Sequence, residues 1–174
     1  MLRVDELDLA FLSVTERVEA HGLGLHQLIS EELVVLLPPA HPLRRRRQVR
    51  MIELADEQFI SFRTGARLRE LLFAAGREAG FVPRVTLESN ESQRIRRLVA
   101  RGLGVAILPR SDAEGPGADV AVASLVEPAL RRDITLAWRE GRRHAPAAAA
   151  FLDVARETFS QTEPVENTIE QLYF

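Results

Sequence analysis

Two polar segments that follow apolar stretches carry the residue types that bind anions. In the first, Ser61-Phe62-Arg63-Thr64-Gly65, an arginine stands beside a hydroxyl group and a glycine. Gly65 lets backbone N–H groups approach a ligand, so these amides and the Arg63 guanidinium could hold one anionic group together. The alternative is that Thr64 only caps the following helix and that Arg63 and Arg67 are solvated.

The second polar segment is Glu88-Ser89-Asn90-Glu91, which also stands between an apolar stretch and a periodic one. Asn90 is expected either to cap the next helix, with Gln93 three residues on as in a capping box, or to face a ligand. The two roles can coexist. Ser89 and Asn90 are therefore candidate binding residues together with Arg63, Thr64 and Gly65.

Catalysis and metal binding find little support in the residue spacing. Neither Ser61 nor Ser89 lies in a Gly-x-Ser-x-Gly elbow. Gly102-x-Gly104 precedes an apolar stretch, whereas a dinucleotide-binding loop follows a strand and opens a helix. No metal-ligand spacing joins the histidines, which are His21, His26, His41 and His144. We expect no catalytic residue, no metal ion and no cofactor.

Composition indicates a globular protein with a buried core. The 174 residues are 46% hydrophobic, include no cysteine and contain no apolar run long enough to cross a membrane, so a cytoplasmic location is expected. The net charge of −2 argues against a surface that holds nucleic-acid phosphates. Every basic side chain is an arginine, and Arg44 to Arg47 could form a nucleic-acid patch, although a solvated turn fits this position better.

Hydrophobic periodicity predicts alternating strands and helices. In the Ala66 to Ala79 segment the apolar residues recur every three or four positions, with Thr64 as N-cap and Gly80 as the stop. Ala113 to Asp119 is predicted to be a loop. The alternation predicts an α/β fold with mainly parallel sheets flanked by helices. The predicted strands are Leu7 to Leu12, Glu32 to Leu37, Gln58 to Phe62, Val85 to Glu88, Val105 to Leu108, Val120 to Leu125 and Ile134 to Trp138. The other predicted helices are Met51 to Ala55, Glu91 to Arg101 and Pro146 to Phe159.

Three short sequence motifs in a fixed order give the sequence a family resemblance. The first is Leu7-Asp8-Leu9-Ala10-Phe11-Leu12, the second ends in His41-Pro42-Leu43, and the third runs from Leu98-Val99 through Gly102-Leu103-Gly104-Val105 to Leu108-Pro109. With Phe59-Ile60-Ser61-Phe62 between them, this order resembles the effector-binding domain of LysR-type transcriptional regulators. The resemblance extends from about Asp5 to about Phe159.

The resemblance implies a two-lobed fold of the type II periplasmic-binding-protein kind, with the ligand in the cleft between the lobes. Residues 1–159 would form the domain, with lobe I at about 5–30 and 132–159 and lobe II at about 31–131. Two strands, near 32–37 and 134–138, would cross between the lobes. In the family the turn that begins at Ser13 lines the cleft, although an ordinary strand exit is an equal alternative.

The resemblance also implies that further segments belong to the full protein. Family members begin with a winged helix-turn-helix and with the first strand and helix of lobe I, so lobe I is expected to be incomplete here. The expected partners are a small effector, a carboxylate by preference, and a second copy of the chain. DNA would be bound only through the N-terminal domain, and no membrane is expected.

Residues 160–174 lie beyond the family's last helix and are expected to form a tail similar to a protease-cleavage tag. The alternatives are a free-standing solute-binding module and an enzyme on the same fold.

Overall fold

A computed structural model describes residues 7–14 and 22–159 of the chain. The described residues divide into two compact units, one of residues 7–14, 22–30 and 133–159 and the other of residues 31–132. The expected 160–174 tail lies outside the described residues. The strands are β1 Leu9–Val14, β2 Leu23–Leu37, β3 Gln48–Arg50, β4 Gln58–Ser61, β5 Arg84–Glu88, β6 Ala106–Pro109, β7 Ala121–Val126 and β8 Arg131–Arg139. The α-helices are α1 Arg67–Glu78, α2 Ser92–Ala100, α3 Arg110–Glu114 and α4 Pro146–Thr158, and a 3-10 helix covers Met51–Leu54.

Strand β2 is the central element of the second unit because its last five residues are buried on both faces. Leu33, Val35 and Leu37 point into one apolar cluster, which also contains Leu72 of α1. Val34 and Leu36 point into a second cluster with residues of α2. Helices therefore cover opposite faces of this strand, as expected for an α/β fold.

The sheets are mixed rather than mainly parallel, which corrects the expectation from the sequence. Strand β2 pairs antiparallel with both β6 and β7, and β8 pairs antiparallel with β1. The parallel ladders are β3 with β7 and β4 with β5. The antiparallel ladders involve β2 and β8, the two strands that contribute residues to both units. The α/β architecture itself is as predicted.

In the first unit, β1 pairs with β8 over six residues, and helix α4 packs on the sheet. The apolar contact joins Leu28 of β2, Leu136 of β8 and Leu152 of α4. Gly24 lies against the Trp138 indole, where a Cβ atom would overlap the ring. Among the described residues, the apolar cluster of the first unit is therefore smaller than either cluster of the second unit.

Several local predictions need correction. Ala113 and Glu114, the first residues of the predicted 113–119 loop, belong instead to helix α3, which begins at Arg110 directly after Pro109. Strand β2 begins at Leu23, nine residues before its predicted start. The prediction missed its first half because those residues are mostly half-exposed and lack a continuous apolar run.

The four arginines Arg44 to Arg47 occupy exposed turns, in which Arg44 N–H donates to the His41 carbonyl and Arg46 N–H donates to the Leu43 carbonyl.

The two glycines of the Gly102-x-Gly104 turn have different roles. Gly102 has φ +77° and ends helix α2, with open space where a Cβ would be. Gly104 has φ +146°, and a Cβ there would lie 3.2 Å from the Gln58 carbonyl carbon and closer still to its oxygen. This close approach allows Val105 and Gln58 to pair, since Val105 N–H donates to Gln58 O at 2.8 Å.

We therefore predict that Gly104→Ala is far more destabilising than Gly102→Ala. The first variant meets both a backbone clash and an unfavourable φ, at a cost of about 3 kcal/mol or more. The second meets only the left-handed φ, at a cost of about 1 kcal/mol. Urea unfolding of both variants measures the difference, and equal losses would refute the assigned role of Gly104.

Candidate functional site

Three strands of the second unit end at one edge. Strand β4 runs parallel to β5, with Ser61 opposite Glu88. On its other side Phe59 forms a parallel bridge with Val105, which leads into β6. The carboxyl ends of these strands and the residues that follow them form what we call the carboxyl edge, consisting of Ser61–Gly65, Glu88–Glu91 and Pro109–Ser111. Ligands of open α/β sheets bind at edges of this kind.

The first polar segment follows β4 and is open to solvent. Arg63, Thr64 and Gly65 are all exposed, and Gly65 has φ +89° with no atom near the position of a Cβ. Helix α1 begins at Arg67 with Ala66 as N-cap and has no side-chain cap. Thr64 is therefore not the cap, contrary to the sequence prediction, because the extra turn through Gly65 delays the start of the helix. The N-terminal amides of α1 donate to no capping side chain.

The second polar segment lies directly beside the first. The Ser89 N–H donates to the Ser61 carbonyl at 3.0 Å, so the structure brings the two segments together. Ser89 is buried, and its Oγ accepts the Glu91 N–H at 3.1 Å. Helix α2 begins at Ser92 with Glu91 as N-cap and has no side-chain cap. The predicted capping by Asn90 with Gln93 is therefore wrong, because Ser89 already closes the turn; Asn90 is exposed.

Arg69 joins the two segments, and the sequence analysis missed it. Its Nη1 atom donates to the Phe62 carbonyl at 3.0 Å and to Glu88 Oε1 at 2.6 Å. The guanidinium also lies over the Phe73 ring, 5.2 Å from the centroid. Side chains of a helix lean toward its N-terminus, so an arginine in the first turn after a strand can reach that strand's end. The position of Arg69 in the first turn of α1, shortly after β4, was therefore the sequence signal that could have identified it.

Ser13 lies in the first unit. It is exposed within β1, opposite Ile134 of β8. The sequence placed a turn at Ser13, but the strand continues to Val14. Any grouping of Ser13 with the carboxyl edge therefore stays a prediction.

An ionic network lies at the β6 end of the carboxyl edge. The Arg110 guanidinium donates to Glu32 Oε2 at 2.7 Å and also pairs with Glu114. The Ser111 hydroxyl donates to Glu31 Oε2 at 2.7 Å, and Arg132 Nε donates to Glu31 Oε1 at 2.6 Å. Glu31 and Glu32 belong to β2, so this network ties helix α3 to the start of the buried half of β2.

Burial raises the pKa of both glutamates, but the hydrogen bonds and positive charges of their partners lower it by more. For Glu31, hydrogen bonds from Ser111 and Arg132 outweigh burial and hold the pKa below its ordinary value of 4.5. For Glu32, Arg110 and Ser124 likewise hold the pKa below that value. The same contact with Glu32, together with Glu114, raises the pKa of Arg110. Both carboxylates are therefore charged at neutral pH and act as acceptors.

Two further observations concern residues 7–14 and 22–159. Within these ranges, no three His, Cys, Asp or Glu side chains are grouped so that they could hold a metal ion. None of the helices in this part of the chain has the length and apolar character needed to span a bilayer.

Comparison with known families identifies the domain. The sequence model of the LysR substrate-binding domain matches residues 1–160. The chain belongs to this family. Its membership agrees with the mixed α/β fold and with the resemblance found in the sequence, and it identifies the domain as a LysR-type effector-binding domain of transcriptional regulators.

Curated relatives of this LysR-type domain are transcriptional regulators. The transcriptional dual regulator GltC of Bacillus subtilis is 32% identical over 137 residues, which are 78% of this chain and 46% of GltC. The HTH-type regulator YybE of the same organism is 31% identical over 161 residues, 92% of this chain and 54% of YybE. The chain thus spans about half the length of these relatives. They are regulators rather than enzymes, which supports a non-enzymatic role in general.

Solved structures show the same fold. The effector-binding domain of QuiR in complex with shikimate is 28% identical, with a TM-score of 0.76, and the match covers 91% of this chain and 75% of that one. The regulatory domain of CcmR from Synechocystis in complex with 2-PG has a TM-score of 0.78 at 23% identity, over 92% of this chain and 77% of that one. At 23% identity, the similarity to the CcmR domain shows a shared fold alone.

The lowered pKa values predict how this LysR-type domain responds to acid. A depressed pKa in the folded state adds stability above the unfolded pKa, and this contribution is lost as pH falls through the folded pKa. The free energy of unfolding should therefore fall as pH drops below about 4.5, and it should fall less steeply in a Glu31→Gln/Glu32→Gln variant. Urea unfolding at successive pH values measures both slopes.

Ser111→Ala provides a companion variant for the acid experiment, because it removes one hydrogen bond to Glu31 and keeps the charge. Its acid slope should lie between those of the wild type and the double variant. Identical slopes in all three proteins would show that the network does not govern acid stability.

Proposed function

We propose that this domain binds a small anionic metabolite at the carboxyl edge and thereby controls a DNA-binding domain elsewhere in the full protein. The observation that carries this proposal is the pair of adjacent helix starts without side-chain caps, α1 and α2, beside the exposed guanidinium of Arg63. Uncapped N-terminal amides carry a partial positive charge and donate to anions. Within the described residues, no carboxylate pairs with Arg63.

The candidate binding residues are the exposed Arg63, Thr64, Gly65 and Asn90, with Ser89 closing the turn behind them. Ser13 of the first unit is proposed as a further effector contact, as the family resemblance implies. The effector-binding domain of QuiR, which is 28% identical to this chain, is solved in complex with shikimate, a carboxylate. This supports a carboxylate as the recognised group. We place the full protein in the cytoplasm.

The binding proposal predicts that Arg63→Ala/Thr64→Val weakens binding of an anionic ligand by about 1 to 3 kcal/mol, because a charge-assisted hydrogen bond is lost. Calorimetry with 2-PG and with shikimate measures this loss. A matched control is Arg97→Ala/Thr86→Val, which changes the same residue types at exposed positions on α2 and β5.

The control variant should bind as the wild type does. Equal affinities in the wild type and in the Arg63/Thr64 variant would remove the first polar segment from the site.

We further propose that two copies of the domain associate through the first unit. Phe11 of β1 is 62% exposed and meets Phe151 of α4 edge to face, with a centroid distance of 6.1 Å. Val154, one turn further along α4, is 59% exposed. A cluster of exposed apolar side chains on a sheet edge and an adjoining helix favours association. Members of the resembled family pair through this domain, which supports a second copy as the occupant.

A Phe11→Ser/Val154→Ser variant should therefore shift the protein from dimer to monomer. Light scattering across a concentration series measures the molar mass. In a separate measurement, hydrogen exchange should be slower in the second unit than in β1. The control is Val82→Ser, which removes an apolar side chain that is 72% exposed in the second unit. A wild type that stays monomeric at all concentrations would refute the proposal.

A further inference from the structure

We propose that the Glu88 carboxylate occupies an anion position on Arg69 and that the anionic group of the effector displaces it. This inference rests on the proposed function and names a specificity-determining residue pair within the same site. Arg69 and Glu88 meet at the carboxyl edge, between the two polar segments, at a distance of 2.6 Å.

The two partners are held very unequally. Arg69 keeps its place without Glu88, because its Nη1 atom donates to the Phe62 carbonyl and its guanidinium lies over the Phe73 ring. Its side chain is only 18% exposed. A guanidinium fixed in this way presents its remaining N–H donors in a constant direction, which suits a carboxylate or phosphate.

Glu88 has no comparable anchor. Its side chain is 40% exposed, and within the described part of the chain its carboxylate has no partner other than Arg69. It is the last residue of β5, where rotation of the side chain moves it into solvent. An ion pair with this exposure contributes little to stability, so the carboxylate can leave at low cost.

The surrounding charges make this exchange selective. Arg67 is paired with Glu70 at 2.9 Å, and Arg94 is paired with Glu91 at 3.2 Å. Arg69, by contrast, is fixed by the Phe62 carbonyl and the Phe73 ring and is held by an exchangeable carboxylate. A neutral molecule cannot compensate Arg69 when Glu88 leaves, whereas an oxyanion can. The pair thus rejects neutral ligands and admits anions.

The experiment measures binding of inorganic phosphate and of 2-PG to the 174-residue chain by calorimetry. Glu88→Gln removes the competing carboxylate and its negative charge, so the affinity should rise by roughly three- to tenfold. Arg69→Gln should lower the affinity, and in the Arg69→Gln/Glu88→Gln variant the gain should vanish. If the ion pair had a structural role alone, Glu88→Gln would lower the affinity instead, because breaking the pair would loosen the carboxyl edge.

Glu78→Gln is the charge-matched control. Glu78 lies in the last turn of α1, nine residues and about 14 Å along the helix axis from Arg69. This variant should leave the affinity for both probes unchanged. Thermal unfolding of every variant shows that the fold is kept, and Arg69→Lys, which keeps the charge without the fork, should bind more weakly than the wild type and more tightly than Arg69→Gln.

The outcomes separate this inference from the proposed function. Binding that Arg63→Ala/Thr64→Val weakens but Glu88→Gln leaves unchanged or lowers would refute the exchange and leave the proposed function standing. Absence of phosphate and 2-PG binding in both the wild type and Glu88→Gln would also refute the exchange. Binding to Glu88→Gln alone would support it, because the wild-type carboxylate then acts as the stronger competitor.

Discussion

Burial of β2 on both faces between Leu33 and Leu37 is the constraint on which the second unit depends. Alternate side chains of this strand enter two separate apolar clusters, and both its edges are paired, with β6 and with β7. A one-residue slip would exchange the two clusters, so the register is fixed. Because Leu33 then lies opposite Pro109, Glu32 and Arg110 come within reach of each other, and helix α3 is held at the carboxyl edge.

The elements that could be predicted from the sequence are those with a strong local signal. Helix α1 begins and ends within one residue of its predicted bounds, because its apolar residues recur at helical spacing and Gly80 stops it with φ +88°. Strand β2 was recognised only over its buried half. Its exposed half and the short β3, of three residues, carry no pattern that distinguishes them from a loop. Tertiary pairing, rather than local propensity, makes those segments strands.

The sequence could predict that the two polar segments lie together, but not which side chains make contact there. Strand-to-helix order placed Thr64 and Ser89 at the carboxyl ends of neighbouring strands, and the Ser89–Ser61 hydrogen bond shows that the segments meet. The capping roles of Thr64 and Asn90 were wrong because helix starts depend on the turn before them. Contacts such as Arg69–Glu88 and Arg132–Glu31 join residues 19 and 101 positions apart. No spacing rule within a single sequence selects such partners.

Charge at the carboxyl edge explains why an anion site can exist in a chain whose net charge is −2. Screening leaves distant surface charges with little influence, so the local balance decides. Near Ser89, the guanidinium groups of Arg67, Arg69 and Arg94 each have a carboxylate partner, whereas Arg63 has none among the described residues. Two helix starts add their partial positive charges. The charges at the edge are therefore mostly self-compensated, so an anion must fit its geometry to gain more than the internal carboxylates already provide.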